Sequence, residues 1–191
     1  MDGVLIIISG PTCSGKDAVM RKLLERNKDL QRLVTTNSRE KREDEKEGRD
    51  YHFVTREEFE KLIADGAFFE WVEYRGEYRG GQQKHVVEAL KSGQNVIWRI
   101  DVRGVKNIYK KVKEMVPKSM FVMLKSSMKT LKERSQERKT EDKSEEDWSM
   151  NRARWELDQE RDFDYVIENK QDKLEETVIE IEKLIESVRK K

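Results

Sequence analysis

The 191-residue sequence holds one cysteine, Cys13, and only two prolines. A single thiol excludes an internal disulfide framework and fits a reducing compartment. No apolar run approaches the roughly 18 residues that a membrane span requires, and the short stretch GVLIIIS starts too abruptly for a secretory leader. The cytoplasm is the expected location. Neither sign of charge is in excess, since 40 Lys and Arg stand against 39 Asp and Glu. Nucleic acid binding by bulk charge is therefore not expected, and any anion site must come from the placement of individual cations. Internal repeats and low-complexity linkers are missing too, so a chain of this length should build one compact unit with one or two small appended lobes.

What is present begins with an apolar, largely β-branched run from Val4 to Ile8, ended by Ser9, Gly10 and Pro11. Such a run reads as a strand buried on both faces, hence part of a parallel sheet. Residues Gly10 to Lys16 then fit the phosphate-binding pattern G-x-x-x-x-G-K, and Val19, Leu23 and Leu24 continue at helical spacing to about Asn27. Strand, glycine loop and helix in that order is the context in which backbone N–H groups and a lysine cradle phosphates. Cys13 has no neighbouring histidine base and reads as a small loop residue, not a nucleophile.

Further core strands are expected over Asn95 to Asp101, Met120 to Leu124 and Tyr165 to Ile167, with helices over roughly 82–91, 104–115 and 172–190. Thr55 and Glu58 form a capping box before a short amphipathic helix closed by Gly66. The alternation predicts an α/β fold with helices on both faces of the sheet. Two polar stretches fall outside it, 36–50 and 132–147, and composition alone reads both as solvated loops. His52 and His85 show no pattern for metal binding or acid–base work and read as structural or surface residues.

Downstream of the loop, two arginines three apart (Arg39, Arg42), then a glutamate, D-Y-x-F at Asp50 to Phe53, F-x-E-W at Phe68 to Trp71, and a G-x-Y-Y-G-like stretch from Gly76 stand in order. With IDVRG, ERSQER and FDYVIEN they make the sequence resemble the guanylate kinase family over essentially its whole length. The resemblance implies a three-layer P-loop NTPase fold with a parallel core sheet: a single domain 1–191, with core 1–34, 85–125 and 157–191, a GMP-binding lobe 35–84 and a helical lid 126–156. It implies transfer of phosphate from ATP to GMP or dGMP with Mg²⁺ as cofactor. Its partners are then small-molecule nucleotides, without nucleic acid or membrane, in a monomer or homodimer.

Carried over residue by residue, Gly10, Pro11, Thr12, Cys13, Ser14, Gly15, Lys16, Asp17 and Asn169 belong to the ATP site. Arg39, Arg42, Tyr51 and Arg79 belong to the acceptor phosphate, Thr35 and Glu70 to the guanine edge, and Asp101 to the same substrate site. Chemistry supports these roles: a guanidinium forks onto phosphate as an ammonium cannot, and a carboxylate accepts from guanine N1–H and the 2-amino group. Lys16, Arg134 and Arg138 are the expected catalytic cations, with Arg152 as third lid arginine because Ser149 stands at the usual place one turn earlier. Trp148 and Trp155 are expected to anchor the lid by packing.

Four positions depart from the family pattern. Asp17 replaces a Ser or Thr, Arg99 replaces an acid, Arg79 replaces a tyrosine and Gly81 lacks a hydroxyl. Asp17 can serve as the hard-oxygen ligand for Mg²⁺, but at ~4 Å from a phosphate charge it would meet repulsion of about 4 kcal/mol at an effective dielectric near 20. Strand alternation puts Arg99 and Asp101 on one side, so Arg99 is expected beside Asp17. Two alternatives share parts of this pattern. Ribose bisphosphate phosphokinases also carry an Asp after the loop lysine but lack the paired arginines, and non-catalytic phosphopeptide-binding modules of the same lineage have no need of Lys16 or the lid arginines.

Overall fold

The computed structural model describes residues 3–137 and 143–190, with only the backbone described over 143–148. In chain order the first elements are β1 (Leu5–Ser9), α1 (Lys16–Arg26) and β2 (Leu30–Arg32). A second group follows: β3 (Thr36–Asn37), β4 (His52–Phe53), α2 (Arg56–Ala64), β5 (Phe68–Tyr74) and β6 (Glu77–Gln82). The chain then forms α3 (Gln83–Lys91), β7 (Asn95–Arg99), α4 (Val102–Met115) and β8 (Ser119–Lys125). It closes with α5 (Met128–Glu137), α6 (Lys143–Leu157), β9 (Tyr165–Glu168) and α7 (Leu174–Arg189).

The main sheet is parallel, in the order β2-β7-β1-β8-β9. Its central strand explains its own composition. Ile6 and Ile8 of β1 pack with Val19 and Leu23 of α1 and Val178 and Ile181 of α7, whereas Leu5 and Ile7 pack with Val86 of α3 and Val105 and Ile108 of α4. A strand between two helical layers has no wet face, so both sides must be apolar. The expected three-layer architecture is present.

The second sheet, ordered β4-β3-β6-β5, has its own small core of Phe59, Phe68 and Tyr78 under α2. The Thr55–Glu58 capping box is formed, with Thr55 N–H donating to Glu58 Oε2 at 2.7 Å and Glu58 N–H to Thr55 Oγ1 at 3.2 Å. Of the 36–50 stretch, only Thr36 and Asn37 are strand. The remainder is ordered by its own carboxylates: Arg42 N–H donates to Glu45 Oε2 at 2.9 Å, Lys46 N–H to Asp50 Oδ2 at 2.8 Å and Phe53 N–H to Glu47 Oε2 at 2.8 Å. Charge here folds the loop back on itself. His52 and His85 lie ring against ring at 4.0 Å, where burial and the neighbouring His52 pull His85 down to about 4.

The composition-based expectation for 132–147 is corrected in its described parts. Helix α5 runs to Glu137 and α6 begins at Lys143, because Leu131, Met150 and Ala153 supply an apolar seam against Cys13 that the charged stretch conceals. Packing outweighs local polarity. Trp155 is 44% exposed, so it is at most a partial anchor for the lid, while the Trp148 side chain lies outside the described residues.

Candidate active site

The phosphate loop leaves the carboxyl end of β1 at the middle of the sheet. Gly10 takes φ 139°, and the main-chain oxygen of Leu124 occupies the space where a Cβ would stand. Gly15 at φ 90° opens α1, with the Asn169 side-chain amide filling its Cβ position. Neither turn nor close approach tolerates a side chain. Asn169 Nδ2 donates to Ser14 O at 2.8 Å and its Oδ1 accepts from Thr177 Oγ1 at 3.1 Å, so this buried residue, expected in the ATP site, holds the loop from β9.

Lys16 Nζ folds back onto the loop, donating to Gly10 O at 2.7 Å and Pro11 O at 2.6 Å. Burial pulls its pKa down to about 8, opposed chiefly by the Glu156 carboxylate. Around it is a cavity of about 330 Å³, lined by Gly10, Thr12, Gly15 and Lys16 and closed on the far side by Asp101, Arg152 and Glu156. N–H groups at the start of α1 and an ammonium converge there, the arrangement that binds phosphate.

Arg99 does approach Asp17: Nη1 donates to Oδ1 at 2.5 Å across the mouth of that cavity. Asp101 caps α4, its Oδ1 accepting from Arg103 N–H at 3.0 Å and its Oδ2 from Arg152 Nη2. Arg152 also donates to Glu156 Oε1 at 2.8 Å, while buried Glu156 Oε2 finds no hydrogen-bond donor among the described residues. Arg134 reaches the loop by donating to Cys13 O at 3.3 Å, and it donates also to Ser126 Oγ, just past β8, at 3.2 Å. Arg138 lies outside the described residues.

On the other side of β7, Thr35, Tyr51, Glu70 and Arg79 line a second cavity of about 170 Å³ that reaches Arg99, Ile100 and Asp101. The Tyr51 ring is flanked by two guanidinium groups, Arg79 at 4.8 Å and Arg39 at 5.4 Å. Arg39 is held by Glu45: Nη1 donates to Oε2 at 2.7 Å and Nη2 bonds Oε1. Hydrogen bonding to Arg39 lowers Glu45 to about 2, so the carboxylate stays ionised and the guanidinium stays oriented. Arg42 gives its backbone N–H to the same carboxylate, with an exposed side chain. Arg39 and Arg42 do not line this cavity, and Arg39 approaches it through the Tyr51 ring.

Glu70 is pushed up to about 7 by burial and by the nearby Asp101 charge. Its carboxyl group lies where a side chain on Gly104 would be, at the first turn of α4. Four features of this region escape a reading of the residues in order. Trp98 fills the place of a Gly81 side chain, with its Cζ2 2.6 Å from a Cβ built there, which accounts for that departure. Gly104 makes room for Glu70, Glu45 orients Arg39, and Glu156 lines the cavity around Lys16. Only Glu45 left a sequence signal, as the glutamate following the paired arginines.

The guanylate kinase family model matches residues 3–188. A guanylate kinase of Shouchella clausii is 37% identical over 184 residues, covering 96% of this chain and 87% of the relative. One from Clostridioides difficile is 32% identical over 190 residues, covering 99% and 90%. Among solved structures, guanylate kinase from Anaplasma phagocytophilum superimposes with a TM-score of 0.66 at 29% identity, covering 99% of this chain and 87% of that one. Its fold, its two facing cavities and likeness along nearly its full length place the chain in the guanylate kinase family.

Proposed function

We infer that the protein catalyses transfer of a phosphoryl group from ATP to GMP, and to dGMP, yielding the nucleoside diphosphate. The observation that carries this is the meeting of a main-chain phosphate cavity and an arginine-flanked acceptor cavity at one strand end, where Arg99, Ile100 and Asp101 line both. We assign core 1–34, 85–125 and 157–191, acceptor lobe 35–84 and lid 126–156, supported by the separate sheets and separate apolar clusters. No described helix is long and apolar enough to cross a membrane. A cytoplasmic location is proposed with it.

In this assignment the loop amides and Lys16 hold the donor phosphates, and Arg134 and Arg152 bring lid charge to them. Arg39, Arg42, Tyr51 and Arg79 hold the acceptor phosphate. Glu70 accepts from the guanine edge and Thr35 donates to O6. Catalysis is then positioning and charge stabilisation in a site closed to water. The donor set suits a magnesium ion, because Asp17 is a hard oxygen ligand whose Oδ2 takes no hydrogen bond from the described residues. When bound there, the metal neutralises phosphate charge.

Coupled measurement of ADP formation with GMP, dGMP, AMP, UMP and ribose 1,5-bisphosphate tests the assignment. GMP and dGMP should support turnover. Equal ADP formation without any acceptor, or turnover with ribose 1,5-bisphosphate alone, would reject it.

A pH dependence follows from Glu70. The guanine edge offers two donors, so it needs the ionised carboxylate, and in the free protein that form predominates only above about pH 7. GMP affinity should therefore rise between pH 6 and pH 8 more steeply in the wild type than in Glu70→Gln, which controls for ionisation of the GMP phosphate itself. Stability runs the other way. A carboxyl pKa raised by folding contributes stability that is present below about 4.5 and lost as pH rises through about 7, and Glu70→Gln should remove that loss. Parallel calorimetric titrations and melting curves of the two proteins check both signs.

A further inference from the structure

Arg99 lines the donor cavity and the acceptor cavity at once. Among the described residues its guanidinium makes one hydrogen bond, to Asp17 Oδ1 at 2.5 Å, which leaves most of its N–H donors without a partner. The other cations of the donor cavity are committed: Lys16 to the carbonyls of Gly10 and Pro11, Arg152 to Asp101 and Glu156. The pair is also open to a ligand, with the side chains of Arg99 and Asp17 45% and 57% exposed. Asp17 sits in the first turn of α1, next to Lys16. Alone, its carboxylate would repel an incoming phosphate; with Arg99 attached, the same spot presents a tethered guanidinium.

We propose that Arg99 is a phosphate-binding residue of the reaction, placing its free N–H donors on the terminal phosphate of the nucleoside triphosphate where the two cavities meet, with Asp17 as the residue that positions it. Triphosphate affinity then rests on a resident cation as well as on a divalent one. This rests on the donor-site assignment of the Gly10–Lys16 loop, and Arg99 takes a position where an arginine, unlike an acid, can bind phosphate without an intervening metal.

The test is binding of the non-hydrolysable triphosphate adenosine 5′-(β,γ-imido)triphosphate by calorimetry in excess EDTA, to wild type, Arg99→Gln, Asp17→Ser and the double variant. Arg99→Gln should weaken metal-free binding tenfold or more, with a smaller loss for ADP, which lacks the terminal phosphate. The same tenfold loss should appear when Arg99→Gln is added to Asp17→Ser. A loss below threefold in the wild-type background overturns the proposal. So does a loss seen only when Asp17 is present, because Arg99 would then merely neutralise its neighbour. A melting temperature near that of the wild type shows that each variant is folded. If the wild type binds GMP but no adenine nucleotide, with or without Mg²⁺, it is the donor-site assignment that has failed, and this proposal falls with it.

Discussion

Replacing Lys16 with methionine is expected to lower kcat for GMP phosphorylation about 1,000-fold or more. The ammonium sits at the floor of the donor cavity, two hydrogen bonds from the loop's own carbonyls, where it can follow charge as it moves from donor to acceptor. In a site shielded from water, removal of one such donor costs on the order of 100- to 1,000-fold, and a full positive charge on a transferring phosphoryl group is worth more. The fold should survive, because the buried charge carries a desolvation cost that methionine does not, as the lowered pKa of about 8 records. Steady-state kinetics beside a melting curve checks this. A variant that melts near the wild type yet keeps kcat within tenfold would show that the loop lysine takes no part in transfer.

Arg39→Lys is expected to reduce kcat/KM for GMP about 100-fold, mostly through KM, although the charge is conserved. Arg39 uses two nitrogens on Glu45 and places its plane beside the Tyr51 ring. An ammonium is a point charge on a flexible stem and cannot meet both carboxylate oxygens and stay beside the ring. Two charge-assisted hydrogen bonds contribute about 1.5–3 kcal/mol each, enough for an effect of this size once Tyr51 and Arg79 lose their fixed neighbour. The KM for ATP should change little. Kinetics with each substrate varied separately makes the distinction, and equal losses for both would mean that the acceptor lobe as a whole had been disturbed.

Much of the core was legible in the residues because strands buried on both faces announce themselves. The runs at Val4 to Ile8 and Met120 to Leu124 have no wet side, and the structure places β1 and β8 there. The short edge strand β2, Leu30–Arg32, was not legible, since Leu, Gln and Arg in a row carry no periodicity. The lobe strands were hidden by glycine and charge: β6 reads EYRGGQ, and its pairing with β5 is stabilised by α2 and the stacked Phe59, Phe68 and Tyr78 rather than by its own propensity.

The site divides along the same line. The Asp17–Arg99 contact could be anticipated because strand alternation fixes which way Arg99 points and the loop follows the adjacent strand. The exchange between Gly81 and Trp98 could not, because it compensates across two sheets that the order of residues does not juxtapose. Arg39 and Arg42 were expected on the phosphate itself, and the structure adds Glu45, which takes the Arg39 fork and the Arg42 backbone N–H and leaves the Arg42 side chain exposed. Arg152 was expected because it lies one helical turn beyond Ser149, and its bonds to Asp101 and Glu156 set it in the donor cavity.

Cys13, at φ 64° within the phosphate loop, packs against Leu131 of α5 and Met150 and Ala153 of α6. The sole sulfhydryl of the molecule is thereby left only 6% exposed. Its alkylation should therefore be slow in the native fold and quicken on unfolding, a reading that needs no introduced label.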